Sequence, residues 1–171
     1  MAFSYRNREK AWYDTAQICL NGHIINTCAE TSPEHNKSFC DKCGAETTIN
    51  CLKCGGKILG QLHPVGELTF VPPMRRAPNF CSSCGSLYPW TERRLKAARD
   101  LANEISGISE DERKLLTQSL DELVKDTPDT QTAAIRFKKI VSKAGKEAAN
   151  AFRQILIDIA SEAAKKVIWG Q

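Results

Sequence analysis

The sequence predicts an α+β fold in which a small β region precedes an all-α region of about four helices. All eight cysteines of the 171-residue chain lie at or before residue 84, and the residues after them are rich in Ala, Lys, Glu, Leu and Ile. From Thr91 onward, apolar residues recur three and four positions apart, which is typical of amphipathic helices. We therefore expect two domains, residues 1–90 and residues 91–171.

The charge of the chain is modest and evenly spread. Lys and Arg number 24 against 20 Asp and Glu, which gives a net charge of +4. A protein that binds nucleic acid through overall charge would be more strongly basic. The N-terminus lacks the apolar run of a signal peptide, and no window approaches the roughly 18 apolar residues of a membrane span. We therefore expect a cytoplasmic protein.

Closely paired cysteines indicate metal ligands in that compartment, because cytoplasmic thiols stay reduced. The chain has three Cys-x-x-Cys pairs, namely Cys40/Cys43, Cys51/Cys54 and Cys81/Cys84. Each pair has the form of a zinc knuckle, in which two thiolates on a tight turn point at one ion. Only seven residues separate the first two pairs, so they either share one metal or belong to two different metals.

A fourth knuckle is predicted upstream of these pairs. The dipeptide Asn21-Gly22 lies between two short apolar segments and is a strong β-hairpin signal. The hairpin would bring Cys19 and His23 together, with His in the place of the second Cys. Their partners would be Cys40/Cys43, which completes a first zinc site. Cys28 is the alternative fourth ligand, and we favour His23 because it lies on the turn itself.

A second zinc site is predicted from the four remaining cysteines, Cys51, Cys54, Cys81 and Cys84. The 26 residues between Cys54 and Cys81 include two strand candidates, residues 57–62 and 67–71, which is enough for a hairpin and a loop. This sequential pairing closes shorter loops than a cross-brace, in which Cys40/Cys43 would join Cys81/Cys84. Residues 1–90 are therefore interpreted as a double zinc-ribbon domain, with the cross-brace as the alternative.

Both predicted sites are structural, since four protein ligands leave a tetrahedral zinc no open position for water. The sequence has no His-Glu-x-x-His motif, and no nucleophile and base that could be located as a pair. We therefore expect two structural Zn²⁺ ions, no other cofactor, no catalytic residue and no enzyme activity. His35 and His63 are interpreted as exposed loop histidines without a metal.

The helical region is predicted as a bundle. Thr91 is placed as the N-cap of the first helix, which should end at Gly107, and Ser109 with Glu112 forms a capping box for the second. A break at residues 127–130 precedes a third helix that stops at Gly145. The fourth helix is expected to run from about 146 to 169, some 36 Å at about 1.5 Å per residue. Its apolar stripe is expected to form the core of the bundle. The alternative is that part of the stripe forms the interface of a homo-oligomer.

Three segments carry a resemblance to a known family. They are Ile18-Cys19-x-Asn-Gly-His23-x-Ile-Asn, Phe39-Cys40-x-x-Cys43-Gly, and Phe80-Cys81-x-x-Cys84-Gly-x-x-x-Pro89-Trp90-Thr91. Together they resemble a family of bacterial zinc-ribbon proteins known only as a domain of unknown function. The likeness spans about residues 10–95. It implies a bacterial source and bound zinc, and it does not imply a function.

The first functional hypothesis is a non-enzymatic zinc-binding adaptor, whose rigid ribbon loops bind a protein partner and whose helices dock a second partner or a second copy. A nucleic-acid-binding regulator is the second hypothesis, because Arg75 and Arg76 lie in a loop with aromatic residues nearby. The third is a cross-braced RING-like module that assists a protein-modifying enzyme. No membrane partner is expected.

Overall fold

The structure, a computed structural model, describes residues 10–65 and 71–170. The chain divides into two compact units, Met1–Pro89 and Trp90–Gln171. All described strands lie in the first unit, and the α-helices follow from Pro89 onward. The predicted α+β fold class is therefore confirmed. Within the described parts of the chain, no helix combines the length and the apolar character needed to cross a membrane.

The first unit is built from short strands around the cysteine turns. The strands are β1 Trp12–Thr15, β2 Gln17–Cys19, β3 Ile24–Asn26, β4 Thr47–Thr48 and β5 Leu59–His63. The predicted hairpin is formed by β2 and β3, which pair antiparallel. Its turn needs Gly22, which has a φ of 89°, a left-handed conformation that side chains disfavour. β4 pairs with the other edge of β2 and completes a three-stranded sheet.

A second sheet pairs β1 with β5. β5 pairs antiparallel with β1, so that Trp12 lies opposite His63 and Thr15 lies opposite Leu59. The strand candidate 57–62 is thus found close to its predicted position, with β1 as its partner. Most of the predicted return strand 67–71 lies outside the described residues. Residues 12–15, for which no strand was predicted, form one because β5 supplies the missing hydrogen bonds.

Gly60 lets β5 lie unusually close to the neighbouring backbone. A Cβ atom at this position would be 2.3 Å from the carbonyl oxygen of Thr27 and 2.8 Å from the backbone nitrogen of Ala16. The amide of Gln61 donates to the same Thr27 oxygen at 2.8 Å. Both obstacles are backbone atoms, which cannot rotate away as a side chain would. The contact therefore fixes the loop after β3 against β5.

Five α-helices are present in the described part of the second unit and its boundary. They are α1 Pro89–Glu104, α2 Glu110–Leu123, α3 Pro128–Lys143, α4 Lys146–Leu156 and α5 Glu162–Trp169. α3 packs against α2, α4 and α5. Phe137 of α3 meets Phe152 of α4 edge to face, with ring centroids 5.3 Å apart. Such pairs stabilise a core beyond their buried area by about 1 kcal/mol.

The start of α2 follows the predicted signal, whereas the start of α1 does not. Ser109 accepts a hydrogen bond from the amide of Glu112 at 3.2 Å, and the Glu112 carboxylate accepts one from the amide of Ser109 at 3.0 Å. This is the predicted capping box. Thr91, predicted as an N-cap, is instead a fully buried residue inside α1. The helix begins at Pro89, three residues before the predicted first helical residue, because proline suits a first helical turn.

The predicted single helix from 146 to 169 is wrong, because the structure has two helices with a turn between them. Ser161 is the N-cap of α5. Its side chain accepts a hydrogen bond from the amide of Ala164, and its own amide donates to the carbonyl oxygen of Leu123 at 2.8 Å. Arg94 of α1 contacts the same turn through Asp158, at 2.8 Å. The apolar stripe is retained because Ile159 in the turn is buried. No continuous 36 Å seam exists.

Replacing Gly60 with Ala should destabilise the first unit by about 1–3 kcal/mol, because the added methyl group forces two backbones apart. The matched control is Leu59→Ala, which shortens an exposed neighbour. Amide NMR spectra recorded against temperature report on each unit separately. We expect the signals of the first unit to disappear at a lower temperature in Gly60→Ala, with the second unit unchanged. Equal melting of both variants would contradict this account of β5.

Candidate metal centres

The three Cys-x-x-Cys-Gly segments fold into the same turn. In each, the glycine amide donates to the carbonyl oxygen of the first cysteine at 2.8 Å. The three glycines, Gly44, Gly55 and Gly85, all have φ between 69° and 73°, which explains why glycine follows each pair. An antiparallel β-bridge joins the residue before each turn to a residue shortly after it. The first cysteine is buried and the second exposed in every pair.

The β2–β3 hairpin forms the fourth turn. Here the Gly22 amide donates to the Cys19 carbonyl at 2.8 Å, and the Cys19 amide donates to the His23 carbonyl at 3.0 Å. The amide of His23 also points at the sulfur of Cys19, 3.3 Å away. His23 therefore supplies the second donor of this turn, four residues after Cys19, where the other three turns have a cysteine three residues after the first.

The first centre brings together the four residues expected for the first site, Cys19, His23, Cys40 and Cys43. Nδ1 of His23 lies 3.5 Å from the sulfur of Cys19 and 3.5 Å from that of Cys40. The sulfurs of Cys19 and Cys43 are 3.8 Å apart. The side-chain amide of Asn21 donates to the Cys43 sulfur at 3.4 Å.

The second centre brings together Cys51, Cys54, Cys81 and Cys84. The sulfur of Cys51 is 3.9 Å from that of Cys84, and the sulfur of Cys54 is 3.7 Å from that of Cys81. The grouping is sequential in both centres, so the alternative cross-brace pairing is not the one found. Residues 44–50 join the two centres, and one shared site made of Cys40, Cys43, Cys51 and Cys54 is also absent.

These distances fit a tetrahedral metal ion and exclude disulfides. A disulfide would place two sulfurs about 2.05 Å apart. Around zinc, with bonds of about 2.3 Å to sulfur and 2.05 Å to nitrogen, neighbouring sulfurs lie about 3.8 Å apart and a sulfur and a nitrogen about 3.6 Å apart. The observed separations, 3.7–3.9 Å and 3.5 Å, match these edges. Both groups are therefore positioned to bind metal ions.

The electrostatics of the centres favour the same conclusion. The amide of Ala45 and the side chain of Asn21 lower the pKa of Cys43 to about 6. Burial raises the pKa of Cys81, but hydrogen bonds from Ser83 and Cys84 outweigh it and lower the pKa to about 6. For Cys54 the amide of Gly56 lowers the pKa, yet the neighbouring thiols raise it to about 12. Thiolates this close repel one another, so full ionisation of the set needs a cation.

Cys28 belongs to neither centre. The structure groups it with Asp14 and His63, which offer one ligand atom each within 4.8 Å of the others. The interpretation of His63 as an exposed loop residue is wrong, since it ends β5 and stacks on Trp12 with ring centroids 4.3 Å apart. Asp14 was missed because a single aspartate in a strand has no recognisable spacing. His35 is exposed, as expected.

The identity of the fourth ligand in the first centre can be tested in the cadmium-loaded protein, because cadmium NMR shifts depend strongly on the number of sulfur ligands. Wild-type protein should give one signal for four sulfurs and one for three sulfurs and a nitrogen. His23→Cys should move the second signal into the four-sulfur region. In Cys28→Ser both signals should keep their positions. Two four-sulfur signals in wild type, one of which leaves that region in Cys28→Ser, would mean that Cys28, and not His23, is the ligand.

Comparison with known proteins places this arrangement in a family. A family model described as "Uncharacterized protein conserved in bacteria (DUF2321)" matches residues 12–168, a span that contains every residue of both centres. No curated protein and no solved structure matches the chain. The resemblance to an uncharacterised bacterial family is thus confirmed, and the chain belongs to this DUF2321 family of proteins conserved in bacteria.

Proposed function

We propose that the chain is a non-enzymatic zinc protein in which two structural Zn²⁺ ions hold rigid loops for a protein partner. The observation that carries this proposal is the presence of two complete four-donor sets at zinc-like spacing. Four protein ligands leave no position for water, which is the arrangement of structural sites rather than catalytic ones. A reducing compartment such as the cytoplasm suits thiols that are not paired as disulfides.

Zinc is the metal that the donor chemistry favours. Thiolate-rich tetrahedral sets suit zinc or iron, whereas calcium and magnesium prefer oxygen. The first centre adds a histidine to three cysteines, a common structural zinc set. Within its described residues the first unit has short strands and few fully buried apolar side chains, so this part of the chain has little core. Metal binding would therefore supply much of its folding free energy, on the order of 10 kcal/mol apparent per site.

Removal of zinc by a strong chelator should unfold the first unit and leave the second folded. We expect the amide NMR signals of residues 10–65 to collapse toward random-coil positions, while the helical circular dichroism, which comes from α1–α5, is retained. Addition of zinc should restore the spectrum, with about two ions needed per chain for the two centres. A metal-free first unit that keeps its dispersed spectrum would contradict the structural role of the ions.

Exposed apolar side chains next to the metal ligands support a protein partner. Phe39 and Leu52 are 59% and 63% exposed and lie directly beside the ligands Cys40 and Cys51. Ile49, two residues before Cys51, is 39% exposed. We call these three residues the knuckle residues. Large apolar side chains on loops that are already fixed lose little conformational entropy on binding, so they contribute efficiently to an interface.

The partner can be sought by native purification of the tagged full-length chain in three forms. They are wild type, the double variant Phe39→Ser/Leu52→Ser, and Leu115→Ser, which replaces a similarly exposed apolar residue on α2. We expect one protein to be recovered near stoichiometrically with wild type and Leu115→Ser, and about ten-fold less with the double variant, as loss of hot-spot residues implies. Zinc content should be equal in all three.

Other outcomes of this purification distinguish the remaining hypotheses. Recovery of a second copy of the chain, with a doubled molar mass, would favour a homo-oligomer. A nuclease-sensitive complex would favour nucleic acid, for which Arg75 and Arg76 are exposed. In that case, replacing both arginines should reduce the salt dependence of log K by about two units. Nothing in the grouping of the ligands supports the RING-like alternative, because that hypothesis requires the cross-brace.

A further inference from the structure

Asp14, Cys28 and His63 converge outside the two four-ligand centres, and we propose that they form a third metal site that binds one zinc-class divalent ion and leaves one position open to water. The three residues come from β1, from the loop after β3 and from the end of β5. One ligand atom of each lies within 4.8 Å of the other two. We call these residues the mixed-ligand site.

The first observation behind this proposal is a buried nitrogen without a hydrogen bond. Nε2 of His63 is inaccessible to solvent and has no hydrogen-bond partner among the described residues. Its nearest acidic atom is Oδ2 of Asp14, 3.6 Å away. That distance is too long for a charge-assisted hydrogen bond, which spans about 2.7–2.9 Å. Buried polar atoms are nearly always satisfied, so a group between the two atoms is expected.

The second observation is that the ligands are held in place before any ion arrives. The Asp14 carboxylate accepts from the amide of Thr15 at 2.6 Å, from the amide of Glu30 at 3.1 Å and from the hydroxyl of Thr31 at 2.6 Å. Burial raises the pKa of Asp14, but these hydrogen bonds outweigh it and lower the pKa. The carboxylate therefore remains anionic in an interior position where its side chain is 0% exposed.

The imidazole and the thiol are oriented as well. Trp12, two residues before Asp14 on β1, stacks on the His63 ring at an interplanar angle of 13°. The amide of Cys28 donates to the side chain of Asn26 at 2.9 Å, and the next amide, that of Ala29, donates to Thr15 of β1 at 2.8 Å. Rigid supports of this kind set the orientation of metal ligands.

Geometry and charge favour a metal site over a catalytic triad made of the same three residues. Zinc bonds of about 2.05 Å to nitrogen and 2.1 Å to oxygen give a tetrahedral N···O edge of about 3.4 Å, close to the 3.6 Å observed. One carboxylate and one thiolate neutralise a dication, which avoids a buried net charge. In a nucleophile–histidine–aspartate triad the two partners use different ring nitrogens. Here a single ring nitrogen of His63 lies within 4.8 Å of a carboxylate oxygen of Asp14 and of the Cys28 sulfur.

The proposed site differs in kind from the two structural centres. It has three protein ligands, one each of sulfur, nitrogen and oxygen, and such sets leave a fourth position for water or an exchangeable ligand. Cys28 is half-buried, and the side chain of His63 is 34% exposed. Because Nε2 of His63 and the Asp14 side chain are buried, Cys28 is the ligand of the site on which solvent can act. The donor set selects borderline metals such as Zn²⁺ or Co²⁺ and disfavours Mg²⁺ and Ca²⁺.

The test is a titration of the full-length protein, already loaded with two zinc ions, with Co²⁺. Wild type should bind one further equivalent and develop a thiolate-to-cobalt charge-transfer absorption band. Cys28→Ser should lose that band, and His63→Gln should bind Co²⁺ at least about ten-fold more weakly, by analogy with the losses seen when metal-supporting groups are removed. His35→Gln, which alters an exposed histidine, is the matched control and should bind like wild type.

Folding is checked in every variant by the cadmium NMR signals of the two four-ligand centres, which must remain. Asp14→Asn is a further variant, but its carboxylate also holds the loop, so Cys28→Ser and His63→Gln decide the outcome. Absence of a third equivalent in wild type would overturn the proposal, as would a third equivalent that survives His63→Gln or is lost in His35→Gln. If Cys28 instead shows rapid alkylation that depends on His63 without binding metal, the residues are a thiol nucleophile and its base.

Discussion

The crowding of thiols and imidazole into two small clusters is the constraint on which the first unit depends. Four donor atoms held 3.5–3.9 Å from their neighbours cannot all take their binding form without a cation between them. The turns that deliver these donors have backbone hydrogen bonds and left-handed glycines of their own. Local geometry therefore prepares each pair, and a bound ion would join pairs that are distant in sequence.

The second unit is stabilised by a different interaction. Its centre is α3, which packs against three other helices, and its interior consists of apolar side chains such as Leu120, Phe137 and Phe152. Burial of such side chains contributes about 1.5–3 kcal/mol each relative to exposure. Under the proposed function the first unit depends on bound metal, whereas the second depends on the hydrophobic effect. The two should respond to different changes in the surroundings.

Local patterns in the sequence were sufficient to predict the turns and most helix ends. Asn21-Gly22, the Cys-x-x-Cys-Gly segments and the Ser109 capping box each act within a few residues, and each was found where expected. The pairing of the four turns into two centres also followed, because loop entropy favours the shorter closure. The turns need no knowledge of distant residues, and their pairing needs only the lengths of the loops between them.

Features that depend on distant residues could not be predicted. β1 is a strand because β5 pairs with it from almost fifty positions away, and that pairing also brings His63 to Asp14. The turn between α4 and α5 is stabilised by Arg94 and Leu123, which lie on other helices. Apolar periodicity continues through the turn, so the pattern within residues 146–169 predicts one helix where tertiary contacts produce two.

Gly60 has a consequence for reading the evolution of this family. Gly60 has no side chain that could bind a ligand. The absence of that side chain allows β5 to contact the backbone of Thr27, the residue before Cys28. Selection should therefore preserve glycine at this position for reasons of space. In an alignment such a residue would be as invariant as a ligand, although it has no chemical group to offer. Invariance at Gly60 would report the close contact of two backbones, whereas invariance at Asp14, Cys28 and His63 together would report shared chemistry.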